Sequence, residues 1–74
     1  MNGPRLTERE RLVREAADAH GITMQAVARQ VGYATAGGFY RVLKSRKPHA
    51  PTLNRIRDWL RLHGVDVELA ALRG

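Results

Sequence analysis

Helix-starting and helix-stopping residues divide this chain into segments of helical length. Threonine hydroxyls commonly cap helix N-termini, and glycine in the left-handed conformation commonly ends a helix. The two alternate along most of the chain, at Thr7, Gly21, Thr23, Gly32, Thr35 and Gly64. Pro51 suits a first helical turn, because its missing N–H has no intrahelical acceptor there. The pattern predicts four short helices, over about 8–19, 24–31, 36–45 and 51–63.

Each predicted helix carries an apolar seam at helical spacing, which indicates packing around a shared core. The seams consist of Leu12, Val13, Ala16 and Ala17; Met24, Val27, Ala28 and Val31; Phe39, Val42 and Leu43; and Leu53, Ile56, Trp59, Leu60 and His63. With 74 residues and no cysteine, the chain has neither a disulfide nor a thiolate zinc site to stabilise it. We expect an all-α fold, a compact four- to five-helix bundle that forms one domain over 1–74.

The segment 65–72 follows the fourth helix and has two interpretations. Asp66 is a potential cap for a last short helical turn, and a strand over 65–69 is the competing prediction. Its apolar side chains belong either to the core or to a dimer surface: Val65, Val67, Leu69 and Leu72.

Positive charge is concentrated in the middle of the chain. The net charge is +6, and 11 of the 13 basic residues are arginine. All seven acids lie outside residues 19–57, while seven bases lie inside: Arg29, Arg41, Lys44, Arg46, Lys47, Arg55 and Arg57. A face built from this stretch would attract a polyanion, although a basic excess often serves only solubility.

The second and third predicted helices, with the turn at Gly32, form a candidate helix-turn-helix over about 23–46. The apolar side of the third helix would pack on the second, because an isolated helix this short does not hold its shape. The opposite side carries Gly37, Arg41 and Lys44 at 100° per residue. Glycine at the start of this helix weakens it by about 1 kcal/mol per residue but lets the backbone approach DNA.

These segments resemble the phage lambda repressor and Cro-like family, and the small Ner-type phage repressors. The resemblance lies in "ITMQAVARQVGYATAGGFYRVL", residues 22–43, followed by "TLNRIRDWLRLHGVD", residues 52–66. The family pattern of a polar cap, a mid-helix alanine, a turn glycine and an early apolar residue corresponds to Thr23, Ala28, Gly32 and Phe39. The chain departs from the pattern in two places. Met24 stands at the start of the second helix, where the family often has glutamine, and the interval from Gly32 to Phe39 is one residue longer than usual.

The resemblance implies a set of DNA contacts. Base-reading positions fall at Thr35, Ala36, Gly37, Gly38 and Arg41. Phosphate contacts fall at Gln25, Arg29, Tyr40, Lys44, Arg46 and Lys47. Tyr40 either stacks on a sugar or packs under the loop, and Trp59 is expected in the core rather than against a base.

The expected function is sequence-specific binding of double-stranded DNA by a homodimeric, Cro-like phage or prophage repressor. The alternatives are an architectural or excisionase-type DNA-binding factor and an antitoxin-like protein–protein adaptor. We expect no enzyme, because the acid-free middle lacks a carboxylate pair and no strand precedes the paired glycines. We also expect no cofactor, metal, small-molecule ligand or membrane span. Met1–Arg5 is not followed by an apolar run, so we expect no signal peptide and a cytoplasmic location.

Overall fold

The protein folds into five helices, and residues 6–73, which the computed structural model describes, contain no strand. The expectation about a signal peptide at 1–5 lies outside these residues. The helices are α1 (Glu8–Ala19), α2 (Met24–Val31), α3 (Ala36–Lys44), α4 (Ala50–Leu62) and α5 (Leu69–Arg73). The predicted all-α helical bundle is confirmed, and the first two helices have the predicted bounds.

The predicted threonine caps are present at three helix starts. Thr7, Thr23 and Thr35 each accept a hydrogen bond from the amide three residues later, over 3.1 to 3.2 Å. Gly32 follows α2 in the left-handed region, with φ of 109°, so a side chain at this position would strain the backbone. These local interactions explain why the start of α1, α2 and α3 follows directly from the sequence.

The core lies between α1 and the other four helices and contains most of the predicted seams. Its buried apolar members are Val13, Ala16, Ala17, Val27, Ala28, Val31, Phe39, Leu43, Leu53, Ile56, Trp59, Leu60 and Leu72. Leu12, Met24 and Val42 from the predicted seams are only partly buried against it. Trp59 belongs to the core, as expected, and its Nε1–H donates to Gln30 Oε1 at 2.7 Å.

Two charged residues of α1 are buried, which the sequence analysis did not predict. The Arg9 side chain is 1% exposed and donates to Leu72 O, at 3.0 Å, and to Ser45 O. Its burial lowers the pKa of the guanidinium. Glu10 is equally buried, and its carboxylate accepts from Arg14 Nε at 2.9 Å.

The C-terminal segment forms a helix, α5, after an irregular stretch over 65–68, so the strand alternative is wrong. Leu72 is completely buried in the core of the monomer, and its carbonyl accepts from Arg9. It is therefore a core residue and not an available dimer surface, which corrects that part of the predicted interface. Val65, Val67 and Leu69 are half-buried and pack against the same core.

Candidate nucleic-acid interface

The candidate site is built around α3, which is held to the core by its apolar side. Phe39 and Leu43 have no exposed surface, and the Phe39 ring lies 5.5 Å from the ring of Tyr33 in the turn before α3. The four-residue connection from Gly32 to Thr35 brings α3 against α2. Because the inner side is fully occupied, the opposite side of α3 faces solvent.

The outer side of α3 is small at its start and basic further along, as predicted. Gly37 is exposed, and a Cβ built on it would meet nothing within 4 Å. Arg41 and Lys44, one and two turns later on the same side, are also exposed. Like the first amides of any α-helix, those of Ala36 and Gly37 have no intrahelical acceptor and are free to donate outward.

Gly38 lies on a different side of the turn from Gly37. Its amide donates to Thr35 Oγ1 at 3.2 Å, and a Cβ on Gly38 would lie 3.5 Å from that oxygen and 3.8 Å from Tyr33 Cδ2. Its N–H is therefore engaged, and its side-chain direction points back into the turn. The structure does not place Gly38 on the outer face with the other predicted base-reading residues, of which Thr35 is exposed and Ala36 is half-buried.

The C-terminal end of α3 is fixed by the first turn of α1. The Thr7 hydroxyl donates to Leu43 O at 2.6 Å while accepting from the Glu10 amide, and Arg9 donates to Ser45 O. These bonds satisfy carbonyls that the end of a helix leaves without intrahelical partners. The fold thus holds α3 at both ends, by the turn from α2 and by α1.

A cleft of about 220 Å³ lies between the end of α3 and the start of α4. Arg41 and Lys47 both line it, together with His49 and the polar side chains of Ser45 and Thr52. The Lys47 amide donates to Ser45 Oγ at 3.1 Å, which shapes the loop between the two helices. The cleft therefore joins the outer side of α3 to the predicted phosphate-binding loop in one basic surface.

The Tyr40 side chain packs beside α1, and its stacking on a DNA sugar stays a prediction. The ring is half-buried, with the Arg14 guanidinium carbon 5.3 Å and the Lys44 ammonium 6.0 Å from its centroid. Both distances fit cation–π contacts. Arg14 also bonds Glu10, and this hydrogen bond raises the pKa of its guanidinium. Arg14 therefore borders the basic surface, although the sequence analysis did not include it.

The five basic residues predicted to contact DNA form no ion pair within the described part of the chain. The ion pairs among residues 6–73 are Arg11–Glu8, Arg11–Glu15, Arg14–Glu10, Arg57–Asp58 and Arg61–Asp66. The five basic residues predicted to contact DNA lie outside this set, and all five are exposed: Arg29, Arg41, Lys44, Arg46 and Lys47. Gln25 is exposed as well and shares a face of α2 with Arg29, four residues later.

The histidines meet in a way that the sequence did not reveal. His20 and His63 lie 43 residues apart, yet their ring centroids are 5.0 Å from each other, and the His63 ring stacks on Trp59 at 4.2 Å. His63 Nδ1 bonds Trp59 O at 2.8 Å, and His20 Nε2 bonds His63 O at 3.0 Å. Among the residues that the structure describes, no three His, Cys, Asp or Glu side chains are grouped as metal ligands would be.

Comparisons with protein-family models, with curated proteins and with solved structures found no match to this chain. Within residues 6–73, every helix is too short or too polar to cross a membrane.

Proposed function

We propose that this protein binds double-stranded DNA sequence-specifically, with α3 in the major groove, and acts as a homodimeric transcriptional regulator. The observation that carries the proposal is the surface formed by the outer side of α3 and the loop after it, where four exposed basic residues have no acidic partner in the described chain. Exposed basic side chains without acidic partners are free to pair with DNA phosphates. A cytoplasmic phage or prophage repressor of the Cro kind, with no catalytic activity, is the proposed biological form.

The shape of α3 supports insertion into a groove. A major groove about 12 Å wide admits one α-helix only if the helix presents its outer side without obstruction. Gly37 gives this side no bulk at its start, and Arg41 extends from the next turn. The forked guanidinium of Arg41 matches the O6 and N7 acceptors of guanine, whereas Lys44 and Lys47 act as point charges for phosphates.

The roles of Arg41 and Lys47 are separable by experiment. Arg41→Ala should cost about 1–3 kcal/mol of binding free energy and relax the base preference at one position. Lys47→Ala should weaken binding to all sequences alike. It should also reduce the slope of log affinity against log salt concentration by about one, because one counterion fewer is released. Arg61→Ala is the matched control, since Arg61 carries the same charge at the far end of α4, roughly 16 Å along its axis from Ala50.

The test is selection of bound duplexes from a random pool, carried out with the wild type and the three variants. A two-fold symmetric consensus that loses one specified position with Arg41→Ala supports the proposal. A wild-type pool without enriched sequences contradicts sequence-specific binding. Measurement of DNA bending by gel mobility on the enriched site then separates a regulator from an architectural factor.

A further inference from the structure

A second amphipathic stripe runs along α4 and borders the core at Trp59. Arg55, Asp58, Trp59 and Leu62 follow one another at i, i+3, i+4 and i+7, which places them on one side of the helix. Leu62 is 82% exposed, although it belongs to a helix whose other leucines are buried. A single exposed leucine is ordinary on a protein surface, so it indicates a contact surface only together with a groove beside it.

Such a groove lies beside this stripe, between α2 and α4. Its volume is about 270 Å³, and it is lined by Gln30, Val31, Arg55, Asp58, Trp59 and Leu62. Its apolar lining residues include Val31 and Trp59, both nearly buried, and the Trp59 indole N–H donates to Gln30. An apolar side chain entering the groove would therefore leave no indole donor unsatisfied.

We propose that the α2–α4 groove is the homodimer surface, and that each copy inserts Leu62 into the groove of the other. The surface is self-complementary, because the exposed leucine and the apolar groove belong to the same chain. A two-fold axis requires this relation, since the same patch must face itself.

The charges on the stripe favour a second copy over an unrelated partner. Arg55 and Asp58 are opposite charges one turn apart, and both are exposed. Arg55 is in no ion pair within residues 6–73, and Asp58 has only Arg57, at 3.7 Å. Where two α4 helices cross antiparallel near Trp59, Leu62 of each copy lies over the groove of the other, and Arg55 and Asp58 of both copies border the same contact. An acidic or basic foreign surface would satisfy only one of the two charges.

The position of the groove is compatible with the proposed function, which this inference deepens by naming the surface that joins two DNA-binding units. None of the groove residues belongs to α3, so the outer side of α3 stays free. The domain measures 32 × 23 × 23 Å, so the centres of two copies side by side would lie about 23 to 32 Å apart, on the same scale as one turn of DNA, about 34 Å.

Sedimentation velocity of the full chain without DNA tests the inference. The wild type should show a concentration-dependent dimer. Leu62→Asp should raise the dimer dissociation constant about a hundredfold, since each of the two copies loses about tenfold. Leu6→Asp is the control, because Leu6 is 48% exposed but does not line the groove, and it should leave the dimer intact. Circular dichroism confirms that both variants stay helical.

Exchange of the charges at Arg55 and Asp58 provides a second test of the dimer. Arg55→Asp should weaken the dimer by opposing two acids, and addition of Asp58→Arg should restore it. A monomeric wild type at millimolar concentration, an unaffected Leu62→Asp dimer, or a failure of the exchange to restore the dimer would each overturn the inference. The DNA-binding proposal is judged separately, on a half-site duplex that monomeric Leu62→Asp should still bind.

Discussion

Gly37, the first of the two adjacent glycines in α3, makes opposite contributions to folding and to the proposed DNA contact, and Gly37→Ala measures both. Gly37 is helical and exposed, and its Cβ direction is empty to 4 Å, so alanine fits the folded chain without a clash. Alanine reduces the conformational freedom of the unfolded chain and is the better helix former. The substitution should therefore stabilise the protein by about 0.5–1 kcal/mol, which raises Tm on the order of 4 °C.

The same methyl group should weaken DNA binding, because it projects from the outer side of α3 where the backbone is proposed to approach the bases. The loss should resemble that of one base contact, about 1–3 kcal/mol, or roughly 5- to 150-fold in dissociation constant. Thermal unfolding and fluorescence anisotropy with a selected duplex measure the two effects on the same samples. Greater stability together with weaker binding is the expected combination.

Gly38→Ala is the matched control within the same turn. Its methyl group would point toward Thr35 and Tyr33 at ordinary van der Waals distances, so it adds no bulk to the outer face. This variant should gain stability and keep its DNA affinity within about twofold, less than 0.5 kcal/mol. Unchanged affinity in Gly37→Ala, or equal losses in both variants, would refute the claim that the outer side of α3 approaches DNA at Gly37.

Two further predictions concern the first turns of α1. Arg9→Met should lower the free energy of unfolding by about 2–4 kcal/mol, because the carbonyls of Leu72 and Ser45 lose charge-assisted hydrogen bonds. Removal of the buried charge offsets only part of this loss. Arg11→Met should cost less stability than Arg9→Met despite its two ion pairs, because its side chain is 45% exposed and water screens both pairs. A urea titration in which Arg11→Met is the more destabilising of the two variants would contradict this account of α1. The hydrogen bond from Arg11 lowers the pKa of Glu8 in the folded chain. The pair therefore stabilises the fold at pH values above the pKa of Glu8 in the unfolded chain. This stabilisation is lost as the pH falls through the lower pKa of the folded chain. NMR titration should find a higher Glu8 pKa in Arg11→Gln, and an unchanged pKa would show that the hydrogen bond is not formed in solution.

The elements of this fold were predictable where neighbouring residues determine them. The Thr35 hydroxyl caps α3 through an amide three residues away, and Gly32 ends α2 by its own backbone conformation. Interactions between residues so close in the chain can be predicted from the sequence. The exposed, basic side of α3 was predictable for the same reason, because helical spacing fixes which residues lie opposite Phe39.

The features that the sequence analysis missed depend on how distant segments meet. The burial of Arg9 requires α5 and the end of α3 to converge on the first turn of α1, which no local pattern encodes. The contact of His20 with His63 likewise joins the ends of α1 and α4. Leu62 falls outside the core seam of its helix, and only the adjoining α2 makes its surroundings a groove.

The central claim is that the outer side of α3 contacts duplex DNA, and a ¹H–¹⁵N NMR titration of the chain with a selected duplex tests it most directly. At about 50 mM salt, where phosphate contacts are strong, the amide signals of Gly37, Arg41 and Lys44 should shift most, and the shifts should diminish as salt is raised. Absence of binding at this salt concentration would contradict the account. So would shifts confined to α1 or to the groove between α2 and α4.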